Sequence, residues 1–208
     1  MKAFFTSLVL VFFCATTNCK AQNLKELGID SAHVPAGLPV GARAPLFKAK
    51  NTQGEIVNLR KLMKNNPVVL IFYRGHWCPV CDKHLAHLTD SLAQIKAAGA
   101  DVVFVTPNTA DNATKTNTKF NNLMQTIPDS DGSIMRAYAV DFVVTEQYQK
   151  KIKRFLKADI AAANNQENAV LPVPATYIIG EQGLILWRHF NLNYKNRASA
   201  GAILRHLP

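Results

Sequence analysis

PVVLIFYRGHWCPVCDKHLAHLTDSLAQIKAAG, residues 67–99, is the stretch that decides the fold. Val68 to Tyr73 is an unbroken apolar run, the pattern of a central strand covered on both faces. Pro79 suits a first helical position, where its missing N–H leaves no hydrogen bond unmade. Cys81, Leu85, Leu88, Leu92 and Ile95 then fall along one helical line that stops at Gly99, predicting one helix over 79–99. Two cysteines therefore stand where a buried strand gives way to a helix.

Outward from this junction the pattern alternates. Glu55 to Leu59 reads as a short strand and Lys61 to Lys64 as a helical turn. Asp101 to Thr106 (DVVFVT) reads as a second buried strand. A weak helix is expected over Thr114 to Met124, and Asp131-Gly132 opens another that runs through Ala139. Thr145 is placed to cap a basic helix. Thr176 to Ile179 and Leu184 to Phe190 form a hairpin around Gly180-Glu181-Gln182-Gly183, and Ser199 to Leu207 closes with a helix. The order predicts a three-layer α/β domain with a mixed central sheet over residues 40–208, with a helical insertion at about 141–170. Residues 22–39, punctuated by Gly and Pro, read as an ordered but irregular lead-in.

Of the 208 residues 48% are apolar and 18% charged, which excludes global disorder. Lys2 followed by the apolar run Ala3 to Ala15 is shorter than the ~20 residues that span a bilayer, and matches a secretory signal peptide. Small residues at Cys19 and Ala21 predict a cut before Gln22, so that residues 1–21 are leader and the mature protein is periplasmic or secreted. A lipoprotein anchored at Cys19 is the alternative. Stable membrane insertion is not expected after cleavage. The formal charge of +10 loses Lys2 and Lys20 with the leader, and an exported protein meets no nucleic acid. The densest basic stretch puts Lys150, Lys151, Lys153, Arg154 and Lys157 on one helical face and Tyr148, Ile152, Phe155 and Leu156 on the other. A solvated face explains it, and a site for an anionic surface or acidic partner is the alternative.

Cleavage also removes Cys14 and Cys19, leaving only Cys78 and Cys81 of the four cysteines. Thiol chemistry requires a thiolate, and a helix N-terminus stabilises one through its unpaired N–H groups and dipole. Helix phase turns Cys81 toward the core and leaves Cys78 as the more exposed sulfur. A static disulfide is a weak alternative, because so small a loop removes little unfolded-state entropy. Zinc is another, since His84 and His87 extend the run to CxxCxxHxxH, but ligands along one helix cannot surround a tetrahedral ion. Both histidines are expected at the surface, and no metal or other cofactor is expected.

On VGARAPLF, VVLIFYRGHWCPVC, DVVFVTPN, IPDSDGSIMRAYAV and PVPATYIIGEQGLILW, the chain resembles the peroxiredoxin-like (alkyl hydroperoxide reductase/thiol-specific antioxidant) family of the thioredoxin fold. The resemblance covers roughly Val40 to the C-terminus. It implies a peroxidatic cysteine at Cys81, but puts Cys78 where the family has a Thr and Pro174 where it has a peroxide-binding Arg. Trp77-Cys78-Pro79-Val80-Cys81 looks instead like a thioredoxin WCxxC, and Val173-Pro174 like its cis-proline loop. Arg74 is positioned to restore part of the missing charge, or else is a surface residue. The expected site is thus Cys78 and Cys81, cycling as dithiol and disulfide, supported by Trp77, Pro79, Pro174 and Arg74.

The favoured expectation is disulfide exchange with Cys78 attacking and Cys81 resolving, on a protein or small disulfide. The alternative is a peroxidase acting on hydrogen peroxide or alkyl hydroperoxides, with Cys81 peroxidatic and Cys78 resolving. A non-catalytic domain holding a structural disulfide or metal comes third. Either enzyme needs a thiol electron donor as partner.

Overall fold

The computed structural model describes residues 24–208. Its elements run β1 (Lys48–Lys50), β2 (Ile56–Asn58), α1 (Leu59–Leu62), β3 (Val68–Phe72), α2 (Pro79–Asp90), α3 (Leu92–Ala97), β4 (Asp101–Thr106) and α4 (Ala110–Lys119). They continue as β5 (Thr126–Pro128), α5 (Ser133–Ala137), β6 (Asp141–Val143), α6 (Glu146–Leu156), α7 (Ile160–Asn164), β7 (Val170–Pro172), β8 (Ala175–Ile179), β9 (Ile185–Phe190) and α8 (Ala200–His206). The central sheet has the order β5-β4-β3-β8-β9; β3, β4 and β5 are mutually parallel, while β8 and β9 are antiparallel. The expected mixed sheet and closing hairpin are both present.

All five residues of β3 are buried, because the strand lies at the centre of the sheet between two cores. Alternate side chains point to opposite faces. Val69 and Ile71 join Leu85, Leu88, Ile95 and Ile203 on one side. Val68, Leu70 and Phe72 join Leu59, Met135 and Tyr177 on the other. There Phe72, Tyr138 and Tyr177 pack with ring centroids 5.4–6.2 Å apart, within the range where aromatic pairs attract edge to face.

Several elements differ from the sequence reading. The helix over 79–99 is two helices broken at Ser91, whose φ is −105° and ψ 0°. Thr89 Oγ1 donates to the Leu85 and Ala86 carbonyls and Ser91 Oγ to that of His87, so side chains compete with the helical ladder there. α4 starts earlier than expected because Thr109 caps it, accepting from Asn112 N. Thr145 occupies the cap position of α6 but makes no capping bond, and its Oγ1 is buried without a partner. Strands β1 and β5 had no clear pattern of their own. The helices α6 and α7, in the stretch expected as an insertion, are bracketed by a small ribbon, β6 against β7.

The residues ahead of β1 pack into the body. Leu24 and Ile29 are buried, Ile29 bridges to Val144, and Leu38 N donates to Tyr177 Oη. The predicted leader and its cleavage site lie outside the described residues. Among those described, no helix is long and apolar enough to cross a membrane.

Candidate active site

The end of β3 and the start of α2 bring the two cysteines together. Gly75 turns the chain at φ +140°, and a Cβ there would lie 2.8 Å from the Asn108 amide, so glycine is required. Asn108 Oδ1 accepts from His76 N at 2.9 Å, and its Nδ2 donates to Asn164 Oδ1 at 2.8 Å, fixing the loop to the insertion. Cys78 is the N-cap of α2 and Pro79 follows at its first position. Cys81 N donates to the Cys78 carbonyl at 2.9 Å. Both cysteines are free thiols.

Cys78 is not the exposed sulfur that helix phase suggested. It is 2% exposed and Cys81 0%, both lying in one apolar cluster with Trp77 and Ala198, against which Leu192 and Tyr194 pack. The two thiols differ in charge instead. Burial alone would push the Cys81 thiol up, but the neighbouring Cys78 thiol and the charges of Arg197 and Arg74 outweigh it, holding Cys81 well below the ordinary thiol range. Cys78 moves the opposite way, up, because it adjoins Cys81, is buried and faces the Cys81 charge. The surroundings therefore favour the thiolate on Cys81, at the first turn of α2, over one on Cys78.

Two arginines stabilise that thiolate. Arg74 is not at the surface; it is 2% exposed in a box of three rings, with its guanidinium carbon 4.1 Å from the Tyr194 centroid, 5.1 Å from Trp77 and 5.3 Å from Tyr148. Its Nη2 donates to Tyr148 Oη at 2.8 Å. Burial lowers its pKa, yet the thiol pair and Tyr148 reverse that, so it stays cationic. Arg197 places Nη2 3.5 Å from Cys81 Sγ. Neither arginine pairs with a carboxylate among the described residues. Arg197 thus faces the Cys81 sulfur directly, while the charge of Arg74 bears on both thiols.

Arg197 had no signal in the sequence. It lies in the irregular segment after β9, 116 residues from Cys81, and reaches the site because that segment crosses the start of α2. The crossing is pinned one helical turn along, where His84 Nε2 lies 2.8 Å from the Ala198 carbonyl. His84 is accordingly not a surface histidine: burial lowers its pKa to about 4, which leaves it neutral and Nε2 protonated toward that carbonyl. His87 is exposed as expected. No group of three metal-ligating side chains occurs among the described residues.

Pro174 stands between β7 and β8, beside a narrow cleft lined by Leu27, Arg74, Phe142, Val173 and Tyr194. It is not the cis-proline the thioredoxin likeness implied, since no peptide bond among the described residues is cis. Of the expected site residues, Trp77, Cys78, Pro79 and Cys81 are contiguous at the junction, Arg74 packs on Trp77, and Pro174 is a neighbour of Arg74 through the cleft.

A dithiol at a strand-to-helix junction of this sheet, with one sulfur held as thiolate, defines a thiol-dependent oxidoreductase of the thioredoxin-like class. The AhpC/TSA family model matches residues 40–188, and the chain belongs to that family. Peroxiredoxin bcp of Coxiella burnetii is 28% identical over 116 residues, 56% of this chain and 76% of that protein. The thiol-disulfide oxidoreductase ResA of Bacillus thuringiensis subsp. konkukian is 26% identical over 104 residues, 50% of this chain and 59% of its own. Matches to plant peroxiredoxin Q proteins span 32–57% of their length. The crystal structure of peroxidoxin BcpB from Mycobacterium tuberculosis superposes with a TM-score of 0.62 at 17% identity, covering 81% of this chain and 96% of that one, a likeness of fold.

Proposed function

We propose that this protein is a peroxidase in which Cys81 is oxidised by hydrogen peroxide or an alkyl hydroperoxide and Cys78 resolves it. The observation that carries the reading is the Arg197 guanidinium, whose Nη2 lies 3.5 Å from Cys81 Sγ, a positive charge that helps hold the Cys81 thiol down. The Cys81 thiolate attacks one peroxide oxygen, the O–O bond breaks, and the departing alkoxide takes the proton from the Cys78 thiol. This leaves Cys81 as sulfenic acid and Cys78 as thiolate. Cys78 then attacks the Cys81 sulfur and expels hydroxide, forming the disulfide. Two electrons from a thiol donor restore both thiols. Guanidinium charge beside the sulfur would stabilise the developing oxyanion, an effect usually worth a few kcal/mol.

Burial supports the same choice. A sulfur 0% exposed suits a small oxidant better than a protein disulfide. This reverses the preference drawn from sequence, which rested partly on a missing arginine that Arg197 replaces. Disulfide exchange led by Cys78 is the second reading, favoured by the WCxxC spacing and the similarity to ResA. Paired variants separate the two. Under peroxidase chemistry Cys78→Ser still forms sulfenic acid and Cys81→Ser is inert to peroxide. A mixed disulfide trapped by Cys81→Ser, with no sulfenylation of Cys78→Ser, would overturn the proposal.

We further propose that the protein works outside the cytoplasm, with a mature chain beginning at Gln22, on the pattern of the leader sequence. Intact mass of protein from the native envelope tests this, and an uncut N-terminus or a lipid adduct on Cys19 would refute it.

A further inference from the structure

The basic helix α6 has no part in the chemistry above beyond Tyr148. Its apolar face is covered for only two of its turns: Tyr148 and Ile152 are buried, while Phe155 is 69% exposed and Leu156 37%. The last turn thus leaves its apolar side chains uncovered and ends at Lys157 in the left-handed conformation. Around this tip Lys150 is paired with Glu146 at 2.6 Å and Lys153 with Asp159 at 3.4 Å. Lys151, Arg154 and Lys157 have no ion-pair partner among the described residues. The Arg154 guanidinium lies 5.5 Å from the Phe155 ring, so cation and apolar surface are adjacent.

We propose that the basic face of α6, with Phe155 and Leu156 at its tip, seats peripherally on an anionic phospholipid surface. An amphipathic helix with Lys and Arg on the polar face and an exposed Phe and Leu beside them binds such surfaces by shallow apolar burial plus attraction to the headgroups. The three unpaired cations share the basic face, and the apolar tip beside them fits a surface that offers both headgroup charge and hydrocarbon, which an acidic protein patch does not. At its other end the helix is held to the body: Gly28 packs so closely that a Cβ there would lie 2.7 Å from the Tyr148 ring, and Thr145 N donates to the Gly28 carbonyl at 3.0 Å.

Flotation of the full chain with phosphatidylcholine vesicles, with and without phosphatidylglycerol, tests the proposal. Binding should require phosphatidylglycerol and be released by salt. Each cation near such a surface is worth about fivefold, so joint Lys151→Gln, Arg154→Gln and Lys157→Gln should weaken it by about a hundredfold. Phe155→Ser with Leu156→Ser should weaken it without changing the salt dependence. Binding through the leader alone would be indifferent to these variants and to phosphatidylglycerol, and that result would overturn the proposal. So would salt-sensitive binding to polyglutamate without binding to the anionic vesicles, which would assign the face to an acidic protein. Peroxide turnover in solution should be equal in all variants, so that loss of the surface and failure of the peroxidase reading are distinguishable.

Discussion

Replacing Arg197 with methionine removes a positive charge from beside the Cys81 sulfur while keeping much of the side chain's apolar bulk. The Nη2 to Sγ separation is 3.5 Å. At an effective dielectric of ~20, a unit pair at that distance interacts by about 5 kcal/mol. The guanidinium charge is delocalised and the side chain is half-buried, so roughly half that value, about 2 kcal/mol, is expected to bear on the thiolate. This corresponds to an upward move of about 1.5 units in the Cys81 titration. Arg74 and the Cys78 thiol remain, so Cys81 should still titrate before Cys78. The thiolate's ultraviolet absorbance against pH reads this directly. Stopped-flow oxidation by peroxide reads the second consequence, a loss on the order of 10²-fold from removing an oxyanion-stabilising donor. Arg197→Lys should fall between the two, because charge is retained but the planar fork is lost. Near-ultraviolet dichroism establishes that each variant is folded. If Arg197→Met leaves both the titration and the peroxide rate at wild-type values, Arg197 does not serve the thiolate and the reasoning fails.

Gly28→Ala should destabilise the fold by about 1–3 kcal/mol in urea, since φ is +82° and the new methyl meets the Tyr148 ring; an unchanged midpoint would refute the contact. Asn108→Leu should cost about 1–3 kcal/mol, because His76 N and Asn164 Oδ1 lose their buried partner; unchanged stability would show that the chain of amides is dispensable. The acid response should be a balance of two opposed groups. His84, lowered to about 4 in the fold, costs stability as pH falls from 6.5 toward 4, by about 3 kcal/mol, since the unfolded chain binds its proton first. Asp129, raised to about 6 by burial, gives back about 3 kcal/mol as pH falls from 6 to 3.8, since here the folded state binds the proton first. Urea midpoints between pH 7 and 4 should therefore fall more in Asp129→Asn than in wild type, and rise in His84→Gln; parallel profiles for all three would refute the assignment.

The amino-acid sequence determined what neighbouring residues can determine. The unbroken apolar run of β3, the proline at the start of α2 and the Cys78–Cys81 spacing are local features, and together they place a dithiol at a strand-to-helix junction. The glycine-rich turn between β8 and β9 fixes a hairpin in the same way. Even the two cores follow from alternation along β3, because successive side chains must face opposite sides of a sheet. Tertiary structure alone decided which sulfur carries the charge. Helix phase correctly turned Cys81 inward, but burial by itself argues against a thiolate. What reverses it is the adjacent Cys78 thiol together with Arg197, brought across 116 residues by a segment with no regular structure, and Arg74, which its position in sequence could not distinguish from a surface arginine. It lies instead among Trp77, Tyr148 and Tyr194, rings from three separate parts of the chain. Charge acts through space over a few ångströms, so the character of the thiol pair is set by whichever residues the fold delivers there. No local pattern records that delivery.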